Sequence, residues 1–219
     1  MNLSYHSKIM EILNIYNDNY ELLGTCEKKL AHKIGLWHEV FTCLVINPEK
    51  NTVIMQIKNH SHNDVHEKDL IEITVGGHYQ AGEILEDGIR ELEEETGLNA
   101  DFKNLVSLGV RQVATTPNPS YIIREFQHIF LYPTNKTLND FKDFDEEEVN
   151  GYIEFNIDEL INLLLRKSNK IKGITKIGTK DIDLSNFVEN YLKGDKLYLR
   201  LLIASKRFIN KEDTELIFW

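Results

Sequence analysis

The sequence contains little cysteine and proline and no long apolar run. Its two cysteines, Cys26 and Cys43, are too few for a disulfide scaffold and lack metal-knuckle spacing. This usage suits a reducing compartment, so we expect a cytoplasmic protein. No stretch approaches the roughly 20 apolar residues of a membrane span, and residues 1–10 lack the apolar run of a secretory signal. We therefore expect neither a membrane protein nor a secreted disulfide-rich protein.

Positive charge is also in short supply. The chain carries 25 Lys and Arg residues against 35 Asp and Glu residues, a formal net charge of −10. Such a field repels the phosphates of nucleic acids and anionic membrane surfaces. We therefore expect no nucleic acid polymer and no membrane among its partners.

The chain reads as one domain covering residues 1–219. Hydrophobic residues make up 42% of the sequence, and only four prolines interrupt it, without a linker or an internal repeat. Strands on both sides of a central helix, followed by further helices, indicate a mixed α/β layer fold. The predicted strands are residues 12–16, 20–24, 40–46, 52–57, 70–75, 105–114, 121–132 and 151–156, and the predicted helices are residues 85–96, 157–166, 184–192 and 196–208.

The predicted central helix is strongly acidic. Glu91, Glu94 and Glu95 stand at positions i, i+3 and i+4, which places their carboxylates on one face within a single turn. Carboxylates this close repel each other unless a cation lies among them, and hard divalent cations with oxygen ligands are the natural candidates. The alternative is an ordinary solvated helix face, from which Glu93 points away in either case.

A glycine-rich segment leads into this helix. Gly76 and Gly77 end the predicted strand at residues 70–75 and allow the backbone to approach a ligand closely. A backbone carbonyl at this turn is a further candidate oxygen ligand for a metal. Arg90 and Glu83 carry opposite charges, and we expect them to pair and hold the loop against the start of the helix.

This segment resembles the signature box of the Nudix hydrolases. The family pattern is Gly, five residues, Glu, seven residues, then Arg-Glu, an aliphatic residue, any residue, Glu-Glu, any residue, Gly and an aliphatic residue. The sequence departs from it in one place, because six residues separate Glu83 from Arg90. The matching residues are Gly77, Glu83, Arg90, Glu91, Leu92, Glu94, Glu95, Gly97 and Leu98.

The resemblance implies an α/β/α sandwich around a mixed β-sheet, with the core at residues 36–160 and the box at residues 76–98. An N-terminal hairpin segment, residues 1–35, would precede it, and a mostly helical C-terminal extension, residues 161–219, would follow. The box would bind Mg²⁺ (or Mn²⁺), and activated water would cleave a diphosphate linkage in a nucleoside diphosphate derivative or a related small molecule. By position, Glu91, Glu94, Glu95 and the Gly76 carbonyl would be metal ligands, and Gly77, His78, Glu83 and Arg90 would shape the loop or contact substrate.

A second resemblance is to type 1 isopentenyl diphosphate isomerases, relatives with the same fold whose metal site uses histidines. His32, His38 and His78 fall about where those ligands would lie, so His32 and His38 are alternative metal ligands. Glu125 lies near an acidic position of that enzyme and is our candidate for a catalytic base or an auxiliary ligand. Gly76 stands where the isomerases have their cysteine, and this absence of a thiol disfavours isomerisation.

Three further expectations remain open. A non-catalytic ligand sensor with the same fold is an alternative to both enzymes, since fold and function separate readily. A histidine-rich loop, formed by His60, His62 and His66, is a weaker candidate for a metal site. The apolar end at residues 216–219 suggests docking on the domain itself or a homodimer.

Overall fold

Two β-sheets organise the chain in the computed structural model, which describes residues 10–59, 69–142, 144 and 149–214. A two-strand hairpin lies near the amino terminus, and a nine-strand mixed sheet forms the centre. The strands are β1 Ile12–Tyr16, β2 Leu22–Glu27, β3 His38–Asn47, β4 Thr52–Lys58, β5 Leu70–Glu72, β6 Val75–His78, β7 Val106–Asn118, β8 Tyr121–Pro133, β9 Val149–Asn156, β10 Ile171–Thr175 and β11 Gly178–Ile182. The helices are α1 Lys28–Ile34, α2 Ile89–Thr96, α3 Ile157–Leu164, α4 Glu189–Leu192 and α5 Leu197–Ile209.

Strand β3 organises the large sheet, whose order is β11-β10-β9-β4-β3-β8-β7. It pairs in parallel with β8 and antiparallel with β4 and β6, and β5 pairs with β4. The parallel register starts with His38 opposite Glu125. Nearly every residue of β3 is buried, as expected for a strand covered on both faces.

Helices cover both faces of this sheet. On one face α3 and α5 pack on a core that includes Leu44, Met55 and Phe155. On the other face, Leu92 of α2 packs in a core with Phe41. Since alternate residues of a strand point to opposite faces, β3 supplies both cores. The predicted α/β/α sandwich around a mixed sheet is confirmed.

The predicted central helix, residues 85–96, is present in two parts. A 3₁₀ turn, Leu85–Gly88, precedes α2, and Gly97 ends α2 in the left-handed conformation with φ 69°. Gly88 is buried so tightly against Phe41 and Tyr79 that a Cβ atom there would overlap their rings. A glycine at position 88 thus allows the start of α2 to pack closely on the sheet.

The sequence predicted one continuous strand at residues 70–75, and this prediction is wrong. The segment is divided into β5, which pairs with β4, and β6, which pairs with β3. The Thr74 hydroxyl accepts a hydrogen bond from the Val45 amide at 2.9 Å and donates one to the Ile54 carbonyl. Thr74 thus bridges the two partner strands where the chain passes between them. Gly76 and Gly77 consequently lie inside β6, and not in a turn after a strand.

Three elements were not predicted from the sequence. Helix α1 has only seven residues, too few for a clear helical periodicity, and it ends at Gly35 with φ 70°. Strands β10 and β11 extend the large sheet at its edge, although β11 is mostly exposed and shows no alternation of polar and apolar residues. Residues 161–214 therefore contain strands as well as helices.

Two sequence expectations lie outside the described residues. These are the loop with His60, His62 and His66 and the apolar end at residues 216–219. Among the helices described, none is long and apolar enough to cross a membrane.

Candidate functional site

Strand β6 brings the acidic helix against the sheet. A Cβ atom at Gly77 would overlap the carboxylate of Glu91, whereas one at Gly76 would meet no atom within 4 Å. The missing side chain at Gly77 therefore creates the space in which the Glu91 carboxylate lies. Gly76 has no such steric requirement.

Arg90 joins three of the carboxylates around α2. Its Nε and Nη2 atoms donate to the two Glu83 oxygens at 2.9 and 3.1 Å, the pairing predicted from the sequence. Its Nη1 atom donates to Glu91 and to Glu94, each at 2.9 Å. Burial lowers the pKa of Arg90, but the Glu83 hydrogen bond and the neighbouring carboxylates outweigh it and raise this pKa above its ordinary value. Arg90 is thus a permanent cation that holds the loop to the helix.

Glu95 lies on the sheet side of α2 and is almost completely buried. Its Oε2 atom accepts hydrogen bonds from the Gly76 amide at 3.2 Å and from Gln56 Nε2 at 3.3 Å. Its Oε1 atom lies 4.0 Å from Lys58 Nζ. Glu93, by contrast, is exposed, as predicted. Gln56 and Lys58 were not singled out in the sequence, because nothing there indicates that β4 passes beside the box.

Acidic side chains crowd this region. Four carboxylates, of Glu83, Glu91, Glu94 and Glu95, lie within 4.0 Å of a cationic atom of Arg90 or Lys58. Glu94 is exposed and places its carboxylate next to solvent. An acidic region rich in carboxylate oxygens has the donor chemistry that Mg²⁺ prefers.

A second group of metal-ligand side chains lies on the opposite face of β6. His32 of α1, His38 of β3, His78 of β6 and Glu125 of β8 each offer a ligand atom, and these atoms all lie within 4.8 Å of one another. Among the described residues, no other group of three or more His, Cys, Asp or Glu side chains is gathered in this way. We call these four residues the histidine cluster.

The histidine rings are oriented by their surroundings. His38 Nδ1 lies 2.8 Å from the Leu36 carbonyl and His32 Nδ1 lies 3.4 Å from the Ile122 carbonyl, contacts that place N–H on Nδ1 and leave Nε2 as an acceptor. His32 Nε2 and His78 Nε2 are 3.2 Å apart. His38 Nε2 is buried without a hydrogen-bond partner, 3.9 Å from Glu125 Oε1. A buried imidazole nitrogen that accepts no hydrogen bond needs an explanation, and its lone pair can bind a metal ion.

Burial keeps the three histidines neutral. It lowers the pKa of His32 and of His38 from 6.5 to about 4, and it lowers the pKa of His78 well below its ordinary value. Burial also raises the pKa of Glu125, against the hydrogen bond that its carboxylate accepts from Gln127 Nε2 at 2.6 Å. Neutral imidazole is the form that binds metals.

The N-terminal hairpin is tied to the other face of the sheet. The Glu39 carboxylate accepts hydrogen bonds from the hydroxyls of Tyr16 and Tyr20 and contacts His128 Nε2 at 2.8 Å. Burial raises the pKa of Glu39, but these hydrogen bonds outweigh it and the pKa is lowered. Glu39 and His128 lie on the face of the sheet opposite to the histidine cluster. These contacts fix the segment that leads into α1 and hence the position of His32.

Comparisons with known proteins identify the family of this arrangement. The NUDIX domain family model matches residues 36–176. The chain belongs to the Nudix hydrolase family. An uncharacterised Nudix hydrolase of Clostridium acetobutylicum is 34% identical over 206 residues, covering 88% of this chain and 97% of the relative.

One solved structure shows the same fold at low sequence identity, and a second is similar at a lower TM-score. A Deinococcus radiodurans protein has a TM-score of 0.50 at 18% identity, over 71% of this chain and 89% of that one. A NUDIX family hydrolase from Clostridium perfringens has a TM-score of 0.44 at 14% identity, over 75% and 95% of the two chains.

The Nudix match covers the acidic helix but only part of the histidine cluster. His32 belongs to α1, which lies before the matched residues. Gln127, which contacts Glu125, was not singled out in the sequence. The sequence did contain one indication of this contact. Gln127 stands two residues after Glu125 on a predicted strand, and residues i and i+2 of a strand share one face.

Proposed function

We propose that this Nudix hydrolase cleaves a diphosphate linkage in a nucleoside diphosphate derivative or a related small molecule by attack of activated water. The observation that carries the proposal is the set of box glutamates on α2, which are gathered around Arg90 and held against β6. A bound divalent ion, Mg²⁺ (or Mn²⁺), would neutralise charge that develops on the phosphate oxygens and lower the pKa of a water molecule.

Glu91, Glu94 and Glu95 are the proposed side-chain ligands of this ion, and the Gly76 carbonyl is the proposed backbone ligand. Glu95 supports the Gly76 part of the site, because its carboxylate accepts a hydrogen bond from the Gly76 amide. Arg90 holds Glu91 and Glu94 in place and balances part of their charge. Glu83 shapes the loop through its two contacts with Arg90.

We also propose that the histidine cluster binds a second metal ion, with His32, His38 and His78 as nitrogen ligands and Glu125 as an auxiliary ligand. The unpartnered Nε2 atom of His38 supports this assignment. Imidazole ligands favour transition metals, and Mn²⁺, Fe²⁺ or Zn²⁺ suit this donor set better than Mg²⁺. Strand β6 connects the two sites, because His78 follows Gly76 by two residues.

The test is diphosphate hydrolysis with matched glutamate variants. Phosphate or monophosphate release is measured from nucleotide sugars, dinucleotides, oxidised nucleotides and thiamine diphosphate, with and without Mg²⁺. Glu94→Gln and Glu95→Gln should each lower turnover by about 100-fold, since a lost charge-assisted metal contact amounts to a few kcal/mol. Glu93→Gln makes the same change at an exposed site of the same helix and is the control. Retention of about a tenth of the activity by both box variants would contradict direct ligation.

Isomerisation of an isoprenoid diphosphate is the second candidate, favoured by the histidine cluster. The cysteines argue against it. Cys43 is fully buried opposite Val75, on the face of the sheet away from the cluster, and Cys26 lies in β2 of the hairpin. Cys43 lies close to Gly76 in the sheet, but its side chain points to the face opposite the histidine cluster, and burial raises its pKa. A non-catalytic sensor is the third candidate, and hydrolysis of any diphosphate in the panel would rule it out.

A further inference from the structure

A chain of polar contacts leads from the histidine cluster to the C-terminal extension. It starts at Glu125, whose Oε2 atom accepts a hydrogen bond from Gln127 Nε2 at 2.6 Å. Gln127 Oε1 in turn accepts one from Arg111 Nη1 at 2.7 Å. Arg111 then donates from Nε and Nη2 to the two carboxylate oxygens of Asp195, at 2.7 and 3.0 Å.

The donors and acceptors in these contacts fix the orientation of each side chain. Arg111 has only donors, so its contact with Gln127 requires the side-chain oxygen of Gln127 to face Arg111. The Gln127 NH₂ group must then face Glu125. Because Asp195 engages Arg111 with two oxygens, the guanidinium plane is fixed, and with it the orientation of the Gln127 amide. The Glu125 Oε1 atom is thereby left directed towards His38, 3.9 Å away.

Asp195, at the end of these contacts, and His32, in the histidine cluster, both lie outside the residues matched by the Nudix family model. Asp195 stands between α4 and α5, beyond residue 176 where the family match ends, and His32 precedes its start at residue 36. Arg111 and Gln127 are mostly buried, whereas Asp195 is about one-third exposed. Helix α5 of the extension packs apolar side chains on the sheet face that carries the histidine cluster, and Asp195 adds a polar contact that leads towards this cluster.

We propose that Gln127, Arg111 and Asp195 are positioning residues that hold Glu125 as a metal ligand, so that the C-terminal extension sets the metal affinity of the histidine cluster. This inference rests on the second metal site of the proposed function. Ligand carboxylates in metal sites are held by such outer contacts, whose loss typically costs about 10-fold to 100-fold in metal affinity.

The experiment is a Co²⁺ titration of the full-length, EDTA-stripped protein in millimolar Mg²⁺, which occupies oxygen-ligand sites. Co²⁺ affinity and its visible d–d absorption are measured for the wild type and for Gln127→Leu and Asp195→Asn. Gln127→Leu should weaken Co²⁺ binding by about 10-fold to 100-fold and alter the absorption bands. Asp195→Asn acts one contact further from the ligand and should weaken binding by roughly 10-fold or less. Metal-free melting temperatures show whether each variant is folded.

Arg200→Gln is the matched control. Arg200 contacts the same Asp195 carboxylate, at 3.4 Å, but it does not lead to Glu125. Its replacement should leave Co²⁺ affinity unchanged. Wild-type affinity in Asp195→Asn and in a folded Gln127→Leu would overturn the inference while leaving the metal site intact. If His38→Leu does not reduce Co²⁺ binding, the second metal site itself fails, and the positioning role fails with it.

Discussion

The metal-free protein should lose stability as the pH falls from 6.5 to 4, because its buried histidines resist protonation. Burial lowers the pKa of His32 and of His38 from 6.5 to about 4, so the unfolded chain binds more protons in this interval. The free energy of unfolding then falls as the pH falls. For His38, this separation between the folded and the unfolded pKa corresponds to about 3 kcal/mol. His78 acts in the same direction.

One group of the cluster acts in the opposite direction. The folded-state pKa of Glu125 is raised, so this carboxyl binds its proton more readily in the folded state and adds stability as the pH falls. The net effect on the wild type is therefore smaller than the sum over the histidines. A comparison of variants removes this ambiguity, because the other titrating groups are common to both proteins.

His38→Leu is the decisive perturbation, since His38 is fully buried and its Nε2 atom has no partner. The variant lacks the buried imidazole and therefore avoids the loss of stability that His38 causes at low pH. Its free energy of unfolding, relative to that of the wild type, should rise by about 3 kcal/mol between pH 7 and pH 4. Urea unfolding in EDTA at pH 7, 5.5 and 4, followed by circular dichroism, measures this difference. If the difference between the two proteins changes by less than about 0.5 kcal/mol over this pH range, the reasoning is refuted. An effect of that size is no larger than that of an ordinary surface substitution.

Three further predictions concern the metal, the glycine of β6 and the thiols. Divalent metal at about 100 times its dissociation constant should stabilise the EDTA-treated protein by about 2.7 kcal/mol; no shift in melting temperature at millimolar metal would favour a solvated acidic face. Gly77→Ala should fold but lose at least roughly 90% of its hydrolytic activity, a loss of about 1.4 kcal/mol in transition-state stabilisation, because its Cβ atom displaces the Glu91 carboxylate; unchanged turnover would show that Glu91 need not lie there. The double variant Cys26→Ser, Cys43→Ala should keep metal-dependent hydrolysis, and the wild type should form no dimethylallyl diphosphate from isopentenyl diphosphate; an isomerase activity lost in the double variant would reverse the assignment.

The acidic box is the part of the site that local sequence determines. Residues three and four positions apart on a helix must share a face, so Glu91, Glu94 and Glu95 follow from spacing alone. The pairing of Arg90 with Glu83 was also predictable, since opposite charges flank a short loop. The layer fold and most strands followed from hydrophobic periodicity in the same way.

The resemblance to the isomerases singled out the members of the histidine cluster, but only the tertiary structure showed that they lie together. Its four members come from α1, β3, β6 and β8, and the distance between them depends on strand register, which no local pattern encodes. The contacts from Glu125 through Arg111 to Asp195 depend on the same long-range pairing, together with the docking of the C-terminal extension. Helical spacing is fixed by covalent geometry, whereas the proximity of distant segments is decided by how the whole sheet packs.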